Sequence, residues 1–153
     1  MYRQKLLDFS HYSTILVFNS LPYHRQEIIC VHISALNYHI ISLENEEEMV
    51  QQQIEPIFTA TNASHLSYFE DKFELCFLAA LNPLTHSHYK LSKTKGESST
   101  MAQIEVINGE VLPPSTFKIE KFGIDRGSRE ISISNEHLKA IFDPMNGYLK
   151  VCY

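Results

Sequence analysis

The chain has 153 residues, of which 44% are hydrophobic and 20% are charged, and its formal net charge is −5. This composition is sufficient for the core of one ordinary domain or two small β units, and it excludes wholesale disorder. The scattered Lys and Arg residues exclude the clustered basic surface of a nucleic-acid-binding protein. No run approaches the roughly 20 apolar residues of a membrane span. Residues 1–13 also lack the continuous apolar core of a secretory signal.

Short apolar and aromatic runs recur along the first 92 residues without helical periodicity. The continuous apolar run "STILVF" (13–18) is typical of a fully covered strand. In "EIICVHIS" (27–34), Ile29, Val31 and Ile33 share one face of a predicted strand, with Cys30 and His32 on the other. "NYHIISL" (37–43) predicts a further short strand, and the charge run 46–48 predicts a solvated turn.

The next three runs predict further strands. Pro56 in "VQQQIEPIF" cannot donate a ladder hydrogen bond and predicts an edge strand. "THSHYKL" (85–91) predicts one more strand after the Asn82-Pro83 break. The long run between them alternates on one face, through Phe73, Leu75, Phe77 and Ala79.

The sequence therefore predicts an all-β chain. An antiparallel β-sandwich is expected over about residues 14–92, after an N-terminal segment at 1–13. A polar linker is expected at 93–100, and residues 101–153 are expected to form the first strands of a second, incomplete β-sandwich.

The end of the chain predicts a β-hairpin. Leu138, Ala140 and Phe142 alternate with more polar neighbours, Asp143-Pro144 opens a turn, and Asn146-Gly147 closes it. An isolated hairpin is marginal in water, so we expect it to join other strands or to offer an exposed edge to other chains.

The three cysteines show neither a CxxC motif nor zinc-ligand spacing. Cys30 and Cys76 lie in predicted strands, where buried free thiols are common, and we expect free thiols rather than a bridge. A Cys30–Cys76 disulfide is the alternative, and it needs adjacent strands and an oxidising compartment.

Several residues are candidates for metal binding or catalysis, and a structural role is expected for most of them. His86 and His88 share a strand face and form half of a metal site; Asp71 and Glu74 are the candidate acid pair for glycoside chemistry. Asn62-Ala63-Ser64 is an N-glycosylation sequon, which matters only in the secretory pathway.

Three stretches together resemble one family. "ILVFNSLPYHRQEIICVHIS" (15–34), "FELCFLAALNPLTHSHYKL" (73–91) and "REISISNEHLKAIFDPMNGYLK" (129–150) resemble, in order and spacing, strand–turn–strand markers in the β region of class II α-mannosidases, glycoside hydrolase family 38. Asn82-Pro83-Leu84 stands where the family usually has two prolines and then often glycine. The ending "VCY" departs from the usual Ser-Ile after Leu-Lys, which points to a truncated chain or a divergent gene model.

The resemblance implies a non-catalytic β module that supports the catalytic and helical domains of a retaining mannosidase acting on N-glycans. The family's zinc, held by His and Asp residues, and its two working aspartates belong to a catalytic domain upstream, and no residue here matches them. The implied location is the secretory pathway, with Golgi and lysosome both open, and this chain alone is expected to be inactive.

Two alternatives stay open at this point. One is a stand-alone β-sandwich that binds a carbohydrate or a protein, since the chain has 8 Tyr and 9 Phe residues. The other is an unrelated enzyme that uses His86, His88 and a carboxylate.

Overall fold

The computed structural model describes residues 14–45, 49–62, 65–95, 101–102, 104, 110–111 and 131–153. Within these ranges all regular secondary structure is β and no helix occurs, which confirms the predicted all-β class. The strands are β1 (Thr14–Phe18), β2 (Arg25–Ile33), β3 (Tyr38–Ser42), β4 (Gln52–Asn62), β5 (His65–Leu81), β6 (His86–Lys93), β7 (Glu110–Val111), β8 (Ile131–Ser134), β9 (Lys139–Phe142) and β10 (Leu149–Cys152).

The chain divides into two compact units. The first takes its residues from Met1–Ile57 and Phe69–Ala102, and the second from Phe58–Tyr68 and Gln103–Tyr153. The C-terminal end of β4 and the N-terminal end of β5 are thus grouped with the later part of the chain. The predicted boundaries at 14–92, 93–100 and 101–153 stay predictions.

The first unit contains two sheets that pack face to face. One sheet has the order β1-β6-β3 and the other has the order β2-β5-β4. The ring of Phe77 on β5 lies 4.9 Å from the ring of Tyr89 on β6, and the Tyr89 hydroxyl donates to the Ala80 carbonyl at 3.1 Å. These contacts join the two sheets into the predicted sandwich. Pro56 lies on β4, an edge strand of its sheet, as predicted.

The core of this sandwich follows the predicted alternation. β5 pairs with β2 in antiparallel register from Arg25↔Leu81 to Ile33↔Phe73. From Phe73 to Leu81 every second residue of β5 points into the core, and the facing strands contribute their own alternate residues. The buried side chains of the unit include Val31, Ile33, Ile40, Ile54, Phe73, Leu75, Phe77, Ala79, Leu81, Ser87, Tyr89 and Leu91.

One strand differs from its prediction. β1 was expected to be covered on both faces, but Leu16 is 57% exposed and Phe18 is 53% exposed. The reason is topological: β1 is an edge strand that pairs with β6, and one face of that sheet is not covered by the described residues. The expectation of a fully covered strand is therefore wrong.

The turn after β1 is fastened by one buried side chain. Asn19 is 1% exposed, and its amide nitrogen donates to the carbonyls of Tyr23 at 2.9 Å, Asn82 at 2.9 Å and Leu81 at 3.4 Å. Its side-chain oxygen accepts from the Leu21 N–H at 3.1 Å. A single asparagine thereby joins the β1–β2 turn to the β5–β6 turn.

Backbone hydrogen bonds reinforce the same junction. The Asn19 N–H donates to the Thr85 carbonyl at 3.0 Å, and the Leu84 N–H donates to the Leu21 carbonyl at 3.0 Å. Leu84 has a φ of +51°, in the left-handed region, which costs a non-glycine residue about 1 kcal/mol. The paired turns hold this residue in an unfavourable conformation.

Asn19→Ala is expected to lower the free energy of unfolding by about 2–3 kcal/mol, because buried carbonyl groups lose their donor. Urea denaturation measures the loss. Asn37→Ala is the matched control, since Asn37 makes one long side-chain bond of 3.5 Å to Thr94; less than 1 kcal/mol is expected there. Equal losses of stability for the two variants would contradict the role of the Asn19 side chain in joining the two turns.

The last part of the chain forms a small sheet of its own, in the order β10-β9-β8. β8 pairs with β9 from Ile131↔Phe142 to Ser134↔Lys139, and β10 pairs with β9 through a register shift between Leu149 and Val151. The predicted hairpin is confirmed. Its predicted alternation is wrong as a burial pattern, because all four β9 residues are half-buried and all four β10 residues are exposed.

The hairpin turn is held by Asp143. Its carboxylate accepts from the Met145 N–H at 2.8 Å and lies 3.4 Å from the Lys150 ammonium. Gly147 closes the turn at a φ of +73°, which glycine adopts without a steric penalty. The predicted roles of the Asp-Pro and Asn-Gly pairs are thus present.

The Asp143 carboxyl is expected to titrate below pH 3.8, because the Met145 N–H hydrogen bond and then Lys150 lower its pKa. A depressed folded-state pKa adds stability above the unfolded value, and this is lost as the pH falls through the folded value. NMR titration of the carboxyl carbon measures the midpoint. Lys150→Ala should leave most of the shift in place, and a midpoint above 3.8 would contradict the assignment.

Candidate functional site

Four side chains of the types that bind metal ions lie together on the outer face of the β2–β5 pair. Cys30 is the register partner of Cys76, and His32 is the register partner of Glu74. Since residues two apart on a strand share a face, the four side chains form a square, which we name the outer-face cluster. All four residues are half-buried.

The two cysteines of the cluster form a disulfide. Their Cα atoms are 4.0 Å apart, close to the spacing of directly opposed residues in a non-hydrogen-bonded antiparallel pair. The expectation of free thiols is therefore wrong for Cys30 and Cys76, because the strand register places them face to face. Cys152 is an exposed free cysteine.

The other two members lie in close contact, and one ring nitrogen beside this contact is unsatisfied. His32 Nε2 lies 3.4 Å from Glu74 Oε1, and the two side chains are 21% and 24% exposed. His32 Nδ1 is buried and has no hydrogen-bond partner among the described residues. Such a buried orphan atom costs free energy unless a further group satisfies it.

The Glu74 carboxylate and the two sulfurs are close enough to bind one ion. The two Sγ atoms and a Glu74 carboxylate oxygen all lie within 4.8 Å of one another. Thiolate, imidazole and carboxylate are the three donor types of protein zinc sites. The sequence shows the pairs Cys-x-His and Glu-x-Cys, but only the register shows that they face each other.

His86 and His88 lie on the exposed outer face of the other sheet, on β6. The ring of His86 packs on the ring of Phe18 with centroids 4.7 Å apart. Among the described residues, no third His, Cys, Asp or Glu completes a metal-binding group with them. The structure thus places this candidate pair in surface packing.

The other candidate residues are not brought together. Asp71 and Glu74 are three apart on β5 and so point to opposite faces, which rules out the acid pair considered from the sequence. Asn62 is the last residue of β4, while Ala63 and Ser64 of its sequon lie outside the described residues. The charge run at 46–48 lies outside them as well.

A polar cavity of about 420 Å³ opens in the first unit. Its lining is mostly amide, hydroxyl and apolar, with Glu44 as the carboxylate. Such a lining suits hydrogen bonding to a neutral polar ligand. The residues are Gln26, Ser42, Glu44, Asn45, Met49, Val50, Gln51, Leu78, Ala80, Asn82 and Tyr89.

The fold and the site together define a disulfide-bonded, antiparallel β-sandwich protein. No protein-family model matches the chain, and a search of curated proteins gives no match. Among the described residues, no helix has the length and apolar character needed to cross a membrane.

Proposed function

We propose that the chain is a non-catalytic β module of a class II α-mannosidase of glycoside hydrolase family 38, which supports the catalytic domain that acts on mannose-containing N-glycans. The observation that carries the proposal is the junction at Asn19. The first two stretches that resemble the family, 15–34 and 73–91, each form a strand–turn–strand unit, and Asn19 joins their two turns.

The third stretch supports the same proposal. Residues 129–150 resemble a strand, an asparagine, a second strand and an Asp-x-x-x-Gly turn before Leu-Lys. The structure has β8 before Asn135, β9 after it, and the turn from Asp143 to Gly147 before β10. This order of elements supports the proposal.

The proposed location is the secretory pathway, with Golgi and lysosome both open. The Cys30–Cys76 disulfide supports it, because such bonds persist in oxidising compartments. The sequon at Asn62 has a role only there.

The proposed contact surface is the outer face of the β1-β6-β3 sheet. In the family the catalytic domain and a helical bundle precede the β region, and β1 is the described strand nearest to them in chain order. This face carries exposed Leu16 and Phe18 beside His86, an apolar surface suited to a neighbouring domain. We propose that the parent's upstream domains cover it.

The pure chain is expected to show no turnover of an aryl α-mannoside with added zinc. In the family, metal ligands and working carboxylates belong to the catalytic domain. Release of the aryl alcohol is followed by absorbance against a buffer blank. Zinc-dependent turnover by the chain itself would overturn the non-catalytic role.

The supporting role is tested by co-expression. Sequencing of the transcript upstream should reveal an α/β domain with an Asp/His metal motif, and that domain and the helical bundle are then expressed with and without this chain. We expect more soluble and active enzyme with the chain present, and a loss with Leu16→Ser/Phe18→Ser. Ile28→Ser, at a 71% exposed position on the other sheet, is the matched control.

One observation favours a second candidate function, a stand-alone carbohydrate-binding module. The residues that line the polar cavity include Gln26, Asn45, Gln51, Asn82 and Tyr89. Amide and hydroxyl groups form hydrogen bonds with sugar hydroxyls. Calorimetry against mannose-containing glycans distinguishes the two: binding that Gln51→Ala abolishes favours the module, and no binding favours the supporting domain.

A further inference from the structure

We infer that the outer-face cluster is a redox-gated binding site for one divalent ion of the zinc class. When the Cys30–Cys76 bond is reduced, the two thiolates, Glu74 and His32 become its four ligands. The inference uses this chain's own residues and does not depend on the proposed function.

The His32–Glu74 pair already has the spacing of two ligands on one ion. In a tetrahedral site with Zn–N and Zn–O bonds of about 2.0–2.2 Å, the two donor atoms lie roughly 3.3–3.5 Å apart. His32 Nε2 and Glu74 Oε1 are 3.4 Å apart. The imidazole lies outside the group formed by the two sulfurs and the Glu74 oxygen, so a rotation of the His32 side chain brings Nε2 to an ion that all four donors share.

The sulfur pair completes the coordination once it is open. Two thiolates on one zinc ion lie roughly 3.8 Å apart, with Zn–S bonds of about 2.3 Å. The two Cα atoms are 4.0 Å apart on one sheet face, and both sulfurs are within 4.8 Å of the Glu74 oxygen. Rotation of the freed side chains then directs both sulfurs at the position beside Glu74.

The gating step balances with a thiol reductant. Two molecules of a low-molecular-weight thiol give two electrons and two protons to the Cys30–Cys76 bond; they leave as their own disulfide, and two Cys thiols remain. The ion then displaces both thiol protons, which go to solvent, because the thiolate is the metal ligand. In the reverse direction a low-molecular-weight disulfide takes two electrons from the thiolate pair and two protons from solvent and leaves as two thiols; the Cys30–Cys76 bond forms again, and the ion, which has lost two ligands, is released.

The chemistry of the donors selects the ion. Two soft thiolates with one imidazole favour Zn²⁺ over Mg²⁺ or Ca²⁺, which prefer all-oxygen sites. The half-buried position limits competition from water.

The test uses the full chain in a Cys152→Ser background, which removes the exposed free thiol. The chain is reduced with a phosphine and titrated with Co²⁺, and thiolate-to-cobalt charge-transfer absorbance is recorded. We expect one ion per chain, displaced by Zn²⁺, with no such absorbance before reduction. Glu74→Gln and His32→Gln should each weaken binding at least ten-fold, while His88→Gln, on the other sheet, should not change it.

Reduction itself can unfold the chain, so circular dichroism is recorded in parallel. In that case Zn²⁺ is expected to restore the β spectrum, because an ion that binds the folded state stabilises it by mass action. The inference is overturned if the reduced, folded chain binds no Co²⁺, if Zn²⁺ fails to restore an unfolded one, or if the three variants behave alike.

Discussion

Phe77→Ala is expected to lower the free energy of unfolding by about 3–5 kcal/mol, the loss typical of a truncated buried aromatic side chain. Phe77 on β5 is 1% exposed, and its ring packs 4.9 Å from the ring of Tyr89 on the facing sheet. Truncation removes apolar contact and leaves a cavity between the two sheets.

Urea denaturation followed by circular dichroism measures this loss. Ile28→Ala is the matched control on the paired strand, because Ile28 is 71% exposed; a change within about 0.5 kcal/mol is expected there. A loss below 1 kcal/mol for Phe77→Ala would mean that the two sheets do not share a packed core in solution.

The sandwich was predictable where one face of a strand is covered. Burial of alternate residues leaves a period-two signature, and Phe73, Leu75, Phe77 and Ala79 are buried as that signature predicted. Pro56 likewise located an edge strand, because a residue without an N–H disrupts a central ladder.

The prediction for β1 was wrong for the opposite reason. The segment "ILVF" (15–18) is apolar at every position, so its sequence shows no alternation and cannot distinguish a covered strand from an edge strand with an apolar outer face. Sheet order decides which is present, and β1 is at an edge. The burial of the hairpin strands was likewise not predictable from their sequence. It depends on which strands cover them, and among the described residues half-buried β9 pairs only with β8 and β10.

The candidate site depended on register, which a single sequence does not specify at long range. Cys30 and Cys76 are 46 residues apart, and a shift of one residue between β2 and β5 would place them on opposite faces. The same register brings His32 to Glu74. The matched spacings Cys-x-His and Glu-x-Cys are visible in the sequence. They indicate a cluster of four side chains only when β2 and β5 are known to pair. Asn19 was equally hidden, because its partners are carbonyls 62 and 63 residues away.

Replacement of both disulfide cysteines, Cys30→Ala/Cys76→Ala, is expected to lower the free energy of unfolding by about 4 kcal/mol. The bond closes a loop with a sequence separation of 46, and loop-closure entropy for a loop of about this length corresponds to roughly 4 kcal/mol at 25 °C. The effect arises mainly in the unfolded chain, whose freedom the bond restricts. The strand register is expected to persist in the variant, because the backbone ladder and the inner face of β5 are unchanged.

The dependence on denaturant separates this mechanism from a packing loss. An unfolded chain without the cross-link exposes more surface, so the double variant is expected to show a larger m-value as well as a lower midpoint, whereas Phe77→Ala should change the midpoint alone. Cys152→Ala, at the exposed free cysteine, is the matched control and should change neither. A loss below 1 kcal/mol with an unchanged m-value would show that the bond does not constrain the unfolded chain, and that the β2–β5 register alone accounts for the stability of this face.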